Sequence, residues 1–223
     1  QLVDMAMQSL RELYRIGVGP SSSHTMGPAL AAERFAARHP QAAGFRTRLL
    51  GSLAATGRGH GTDTALQRAC APRPIAIAWH PEEVPDFHPN GLELIALAAD
   101  GAELDRWTVY SVGGGALREA GAPDPPQTYG IASMRELLAW CDGTRMPWQL
   151  VEASEDAAIW RHLLACWQAM RAAIARGLAA DGILPGGLRL QRRARMMQAR
   201  ARGLRAVTIS AYALAVMEEN AAG

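Results

Sequence analysis

The chain has 223 residues, 49% of them apolar, and a formal net charge of +2 from 23 basic and 21 acidic side chains. That suits one large or two small globular domains with a buried core, and no apolar run approaches the roughly 18 residues of a membrane span. Every basic residue is arginine, so no lysine amine can form a Schiff base with pyridoxal phosphate or a carbonyl substrate, and no phosphate-loop GK[ST] motif exists.

Gln1 to Tyr14 carries Leu2, Met5, Leu10 and Leu13 in a short amphipathic pattern. It leads into Gly19-Pro20-Ser21-Ser22-Ser23-His24-Thr25-Met26-Gly27-Pro28, where four hydroxyls surround one histidine between two Gly/Pro pairs. Ala29 to Arg38 has helical spacing, which puts the hydroxyl run at or just before a helix N-terminus. Unpaired N–H groups and a positive partial charge there favour a small anion. The hydroxyls of Ser21, Ser22, Ser23 and Thr25 can turn toward it. The plainer alternative is an N-cap with spare serines.

Phe45 to Ala54 reads as a strand, ending at Thr56-Gly57-Arg58-Gly59-His60-Gly61-Thr62-Asp63, whose glycines permit close backbone approach to a ligand. Thr62 or Asp63 is expected to cap a helix through Cys70. Ile75 to Trp79 reads as another strand, followed by a loop holding Phe87-His88-Pro89-Asn90-Gly91. Leu92 to Ala98 and Leu104 to Val112 are predicted strands joined by a hairpin at Asp100-Gly101. The second ends in Tyr110-Ser111-Val112-Gly113-Gly114-Gly115, but no GxGxxG with a following helix and acid appears, which argues against a dinucleotide fold.

Ala120 to Gly130 is rich in proline and glycine and is the expected boundary. Beyond it only helices are predicted, so the fold class expected is α+β. The first runs from Ser133 to Cys141. A second is opened by Ser154-Glu155-Asp156 and striped by Trp160, Leu163, Trp167, Met170, Ile174 and Leu178. A third carries Leu190, Ala194, Met197 and Ala201, and a mostly buried helix runs from Ala206 to Glu219.

Cys70, Cys141 and Cys166 are odd in number and widely spaced, which argues against a disulfide framework, and no CxxC or Cys/His cluster suggests a local metal site. Cys141 and Cys166 fall in apolar helical patterns and read as buried thiols. His24, His60 and His88 lie in separate loops flanked by glycine or proline, a pattern that favours one shared small-molecule site at the ends of strands. His60 suits a general base: its glycine neighbours leave it open, and an ordinary imidazole pKa near ~6.5 fits proton abstraction at neutral pH. Asp63 could orient it or cap its own helix. Between Gly182 and Met217 stand seven arginines and no acid, which raises nucleic-acid binding as a second function class. No aromatic is interleaved with them for base stacking, and a packing face paired with acids elsewhere is the preferred reading.

Ile16-Gly17-Val18-Gly19-Pro20-Ser21-Ser22-Ser23-His24-Thr25 resembles the opening motif of the iron–sulfur-dependent L-serine dehydratases. In order, Gly51-Ser52-Leu53-Ala54-Ala55-Thr56-Gly57 with Gly59-His60-Gly61-Thr62-Asp63, His88-Pro89-Asn90-Gly91, and Tyr110-Ser111-Val112-Gly113-Gly114-Gly115 resemble the rest of that family's β domain. Leu184-Pro185-Gly186-Gly187-Leu188 with Arg192-Arg193-Ala194, and Glu218-Glu219-Asn220-Ala221-Ala222-Gly223, resemble the opening of its catalytic α domain. The resemblance implies a serine dehydratase β domain over residues 1–120, a linker over 121–132, and the first helices of the α domain over 133–223. That β domain is an α+β unit similar to a substrate-binding regulatory domain of phosphoglycerate dehydrogenases.

The activity implied is conversion of L-serine to pyruvate and ammonia by a cytoplasmic homo-oligomeric lyase with a [4Fe–4S] cluster, and with no nucleic-acid or membrane partner. His60 is then the base, with Asp63 or Thr62 as orienters, while Ser21, Ser22, Ser23, His24, Thr25, His88, Asn90 and Ser111 bind the substrate. In that family the cluster cysteines lie beyond the end of this sequence. Cys70, Cys141 and Cys166 match none of them, so no metal ligand is expected here. The alternative expectation is a regulatory or substrate-binding module with no activity of its own.

Overall fold

The computed structural model describes residues 7–185, 189–201 and 203–223. Strand β1 (Gly44–Leu50) lies inside the sheet, with Phe45, Thr47 and Leu49 buried and Arg46 and Arg48 on the alternate positions. This is the period-two pattern of a strand with one covered face. Beside it run β2 (Ile75–His80), parallel, and β3 (Gly91–Leu97), antiparallel. Two further antiparallel strands, β4 (Glu103–Gly113) and β5 (Ala116–Arg118), complete the order β2-β1-β3-β4-β5.

A parallel pair needs a crossover. Here α3 (Gly51–Gly57), a 3₁₀ turn (Arg58–His60) and α4 (Thr62–Cys70) supply it between β1 and β2. Together with α2 (Gly27–Arg38) they bury Ala31, Phe35, Leu53, Leu66 and Cys70 against Phe45, Leu49, Leu92, Leu94 and Val109. Each fully buried Leu or Phe contributes roughly 1.5–3 kcal/mol, so this layer dominates the stability of the sheet. Elsewhere on the strands Arg48 stands 3.6 Å from Glu93, and Arg106 2.8 Å from Glu103. The second pair is exposed, and such pairs contribute at most about 1 kcal/mol each. The architecture is α+β, as expected.

Two local readings are corrected. The strand expected to run to Ala54 stops at Leu50, because Gly51 has φ +53° and a Cβ there would lie 2.6 Å from the Pro89 carbonyl. Only glycine takes that turn without strain, and Leu53 and Ala54 continue as α3, since a short apolar run does not separate strand from helix. Helix α4 has Gly61, in the left-handed region, at its N-cap position rather than a side-chain cap from Thr62 or Asp63. Strand β5 was not expected at all.

Among the described residues five helices follow Ala122: α5 (Met134–Cys141), α6 (Pro147–Ser154), α7 (Ala158–Ala179), α8 (Ala194–Arg200) and α9 (Arg205–Ala222), while α1 (Leu10–Leu13) precedes the hydroxyl loop. Helix α6 was not foreseen. Ser154 ends it rather than opening α7, where Asp156 Oδ1 instead accepts from the Ala158 N–H at 2.7 Å. The α7 stripe is less buried than its spacing implies, for Trp160, Trp167 and Met170 are exposed. Helix α9 is not mostly buried either: only Ala211, Ala215 and Glu218 are. Cys141 and Cys166 are half-buried, not core thiols. Leu2, Met5 and Gly186-Gly187-Leu188 lie outside the described residues.

The chain divides into two compact units. One comprises Gln1–Ile16 and Pro123–Ala169, the other Gly17–Ala122 and Met170–Gly223. In the first, Glu155 collects three donors, Ser9 Oγ, the Leu10 N–H and the Tyr129 hydroxyl, each at 2.8 Å. The second holds the sheet, α2 to α4, α8 and α9.

Candidate active site

The strand register brings the chemistry-bearing loops to one end of the sheet. Leu49 faces Leu92 and Gly91 faces Tyr110, so the start of α3, the His88–Asn90 loop and Ser111 are neighbours. The Ser52 N–H donates to the Pro89 carbonyl at 2.9 Å, and the Ser111 N–H to the Asn90 carbonyl at 3.0 Å.

The hydroxyl run is not a free cap. Ser22–Met26 form a single π turn that runs into α2, a geometry frequent at functional sites. Ser21 organises it: its Oγ accepts from the His24 N–H at 3.2 Å, and its carbonyl from the Thr25 and Met26 N–H groups at 2.9 and 3.1 Å. Three of the four hydroxyls therefore have internal duties. Ser21 caps, Ser23 Oγ lies 2.9 Å from His24 Nδ1, and Thr25 donates to the His60 carbonyl at 3.0 Å. Ser22 is exposed.

His24 and His60 meet with ring centroids 4.8 Å apart. His60 Nδ1 lies 2.9 Å from the Thr56 carbonyl. A carbonyl only accepts, so Nδ1 carries the proton, and in the neutral ring Nε2 keeps its lone pair. Thr56 also donates to its i−4 carbonyl, Ser52 O, at 3.0 Å, a common habit of helical threonine. Its single proton thus spent, Thr56 Oγ1 accepts from His24 Nε2 at 2.8 Å. His24 Nδ1 is then the acceptor for Ser23. Burial holds the His24 pKa below the ordinary 6.5, the Ser52 carbonyl opposes that, and the neighbouring His60 adds to it. His24 is therefore neutral at pH 7.

The remaining candidates fall into place unevenly. Thr62, fully buried, donates to the His24 carbonyl at 2.6 Å, and Asp63 Oδ1 accepts from the Thr64 N–H at 2.9 Å, so neither is bonded to the His60 ring. His88 Nδ1 accepts from the Asn90 N–H at 3.1 Å, which puts its neutral-state proton on Nε2 as a donor. Asn90 donates to the Ser111 carbonyl at 3.3 Å. Both side chains are buried, and Asn90 Oδ1 and Ser111 Oγ have no protein partner. Such orphans await a water or a ligand group. Thr56 is not among the residues expected at the site, although it stands inside the Gly51–Gly57 motif. Nothing in sequence shows that one threonine would serve two histidines.

The cysteines do not fit an iron–sulfur cluster. Among the described residues the one group of three or more His, Cys, Asp or Glu donors is His80, Glu82 and Glu83, with no cysteine in it. Glu83 is already held by Arg48 at 2.6 Å. Cys70 lies in the apolar core, where burial pushes its thiol up to about 11 despite nearby Arg73. Cluster ligands must be thiolates. No described helix is long and apolar enough to cross a membrane.

The fold is that of an α+β protein, and the sheet end that gathers a buried neutral imidazole, a second imidazole with a free nitrogen, and hydroxyl and amide groups is its candidate small-molecule site. The chain matches the family model for the serine dehydratase beta chain over residues 9–71 and 67–122, and it belongs to that family. It is 34% identical to the L-serine dehydratase of Streptomyces coelicolor, 33% to the L-serine dehydratase TdcG of Escherichia coli and 31% to that of Haemophilus influenzae. These alignments take in 96–97% of this chain and 61% of each relative. The chain thus spans about three fifths of the length of these relatives.

Proposed function

We propose that this chain is the serine-binding, base-bearing part of an L-serine ammonia-lyase, which forms pyruvate and ammonia. Residues 1–120 are read as its β domain, 121–132 as a linker and 133–223 as the first helices of its α domain. The [4Fe–4S] cluster belongs to a segment outside this sequence, since the cysteines here do not suit it. The complete enzyme, this chain together with the portion of the relatives it does not span, is read as cytoplasmic and homo-oligomeric. The observation that carries the proposal is His60, locked through Nδ1 by the Thr56 carbonyl with Nε2 left to take a proton.

In this reading Nε2 removes the α proton of L-serine. The β hydroxyl takes up a proton and departs as water, leaving aminoacrylate, which tautomerises to the imine and is hydrolysed to pyruvate and ammonia. The Thr56 carbonyl, rather than Asp63 or Thr62, orients the base. His24, kept neutral, adds no competing positive charge beside it. Exposed Ser22 and the His88 Nε2–H serve the substrate carboxylate, Ser23 being committed to His24 Nδ1, and the orphaned Asn90 and Ser111 atoms complete the polar lining.

In the complete enzyme His60→Ala is expected to lower kcat by roughly 10²–10⁴, the usual range for losing a general base. Iron and sulfide content should be unchanged. Surviving kcat, or loss of the cluster with the side chain, overturns the assignment. If the chain is instead a binding module without activity, pyruvate release will be absent from the complete assembly while L-serine still binds.

A further inference from the structure

The last turn of α9 meets the start of the hydroxyl loop, although some 200 residues separate them in sequence. Asn220 Nδ2 donates to the Pro20 carbonyl at 3.0 Å. A Cβ built on Gly19 would lie 2.0 Å from the Asn220 carbonyl oxygen and 2.5 Å from Asn220 Oδ1. The loop backbone is thus seated directly on Asn220, and residue 19 can be nothing larger than glycine without displacing one or the other.

The two residues before Asn220 tie the same turn to the helices around it. Glu219 stands 2.9 Å from both Arg176 Nε and Arg192 Nη1. Burial pushes its carboxyl up, but the two arginines outweigh that and hold it below the usual range. Glu218, 3% exposed, accepts from the Arg193 N–H at 2.6 Å and the Ala194 N–H at 3.3 Å at the start of α8. Two carboxylates fix the helix end, and the amide next to them fixes the loop.

Pro20 directly precedes Ser21, whose hydroxyl and carbonyl hold the His24, Thr25 and Met26 N–H groups. Moving Pro20 moves that frame, and His24 with it. We propose that Asn220 is a positioning residue for the hydroxyl loop, setting the placement of Ser21 to Thr25 from the end of α9. Its consequence for catalysis rests on the L-serine reading; the positioning itself does not.

The test compares Asn220→Ala and Asn220→Asp, which both lack the donor while the second keeps the shape, with Gly19→Ala as a push from the other side. Amide hydrogen exchange at Thr25 and Met26 is followed in the 223-residue chain, and KM and kcat for L-serine in the complete enzyme. Loss of one hydrogen bond predicts about three- to tenfold faster exchange in the loop and a KM raised by a similar factor in both Asn220 variants. Midpoints of thermal unfolding should fall by no more than about 5 °C, the shift that one lost hydrogen bond gives in a chain of this size. Unchanged loop exchange overturns the proposal, as does an Asn220→Asp variant that behaves as wild type. Should Gly19→Ala fail to fold, the Asn220 pair decides alone. Should the wild-type complete enzyme not turn over L-serine, the proposed function falls while the exchange measurement still decides the positioning role.

Discussion

His24 shows how one residue's surroundings set its chemistry. Burial and the adjacent His60 keep its pKa below 6.5. The unfolded chain therefore binds the His24 proton more tightly than the folded one. Between the folded pKa and about 6.5, stability rises with pH; the contribution is fully present above that window and is lost as pH falls through it. Unfolding midpoints in urea should accordingly decline on acidification from pH 7 to pH 5.5. His24→Asn should flatten the decline relative to wild type, and identical slopes for the two proteins would remove His24 as its source.

At the scale of elements, side chains from one segment complete another. Glu155, just after α6, receives the Ser9, Leu10 and Tyr129 donors. Burial raises its pKa, but these bonds outweigh that and hold it below the usual carboxylate range, while burial and Glu155 together push the Tyr129 phenol up. Glu155→Ala leaves the Tyr129 hydroxyl, in a residue 4% exposed, and the Leu10 N–H without their acceptor. A loss of about 1–3 kcal/mol is expected from equilibrium denaturation, with Glu155→Gln milder because it keeps an acceptor oxygen. Equal stability of the alanine variant and wild type would show that solvent replaces the carboxylate. Of this cluster, sequence reading saw only Glu155 as a first-turn acid of a helix. The partners lie 26 to 146 residues away, beyond the reach of periodicity.

At the scale of the whole molecule, the exposed face of α7 is where the proposed homo-oligomer can be tested. Trp160, Leu164 and Trp167, at helical spacing, are 40%, 54% and 53% exposed. Contiguous apolar surface of this kind marks interaction sites in soluble proteins. Light scattering after gel filtration should show an oligomer, and Trp160→Ser with Trp167→Ser should shift it toward smaller species. A monodisperse wild-type monomer would sink the homo-oligomer reading.

The sequence by itself determined the α+β class, the strands at Ile75 and Leu92 to Val112, and the glycine- and proline-flanked stretches that carry His24, His60 and His88, although His24 stands in a π turn and His60 in a 3₁₀ turn where loops are expected. Each rests on local information: alternation, glycine and proline punctuation, and hydroxyl density. It put Leu53 in a strand, wrongly, because a short apolar run satisfies strand or helix, and Gly51 settles the matter only once Pro89 stands beside it. It placed Asp63 near His60 in number, yet the structure turns His60 to the Thr56 carbonyl, one helical turn back. Only the tertiary structure decided which nitrogen of each histidine is free, which hydroxyls are spent on capping, and that Asn220 sits under the hydroxyl loop. Those outcomes depend on hydrogen bonds between segments distant in the chain, and such partners are chosen by sheet register and helix packing rather than by neighbouring residues.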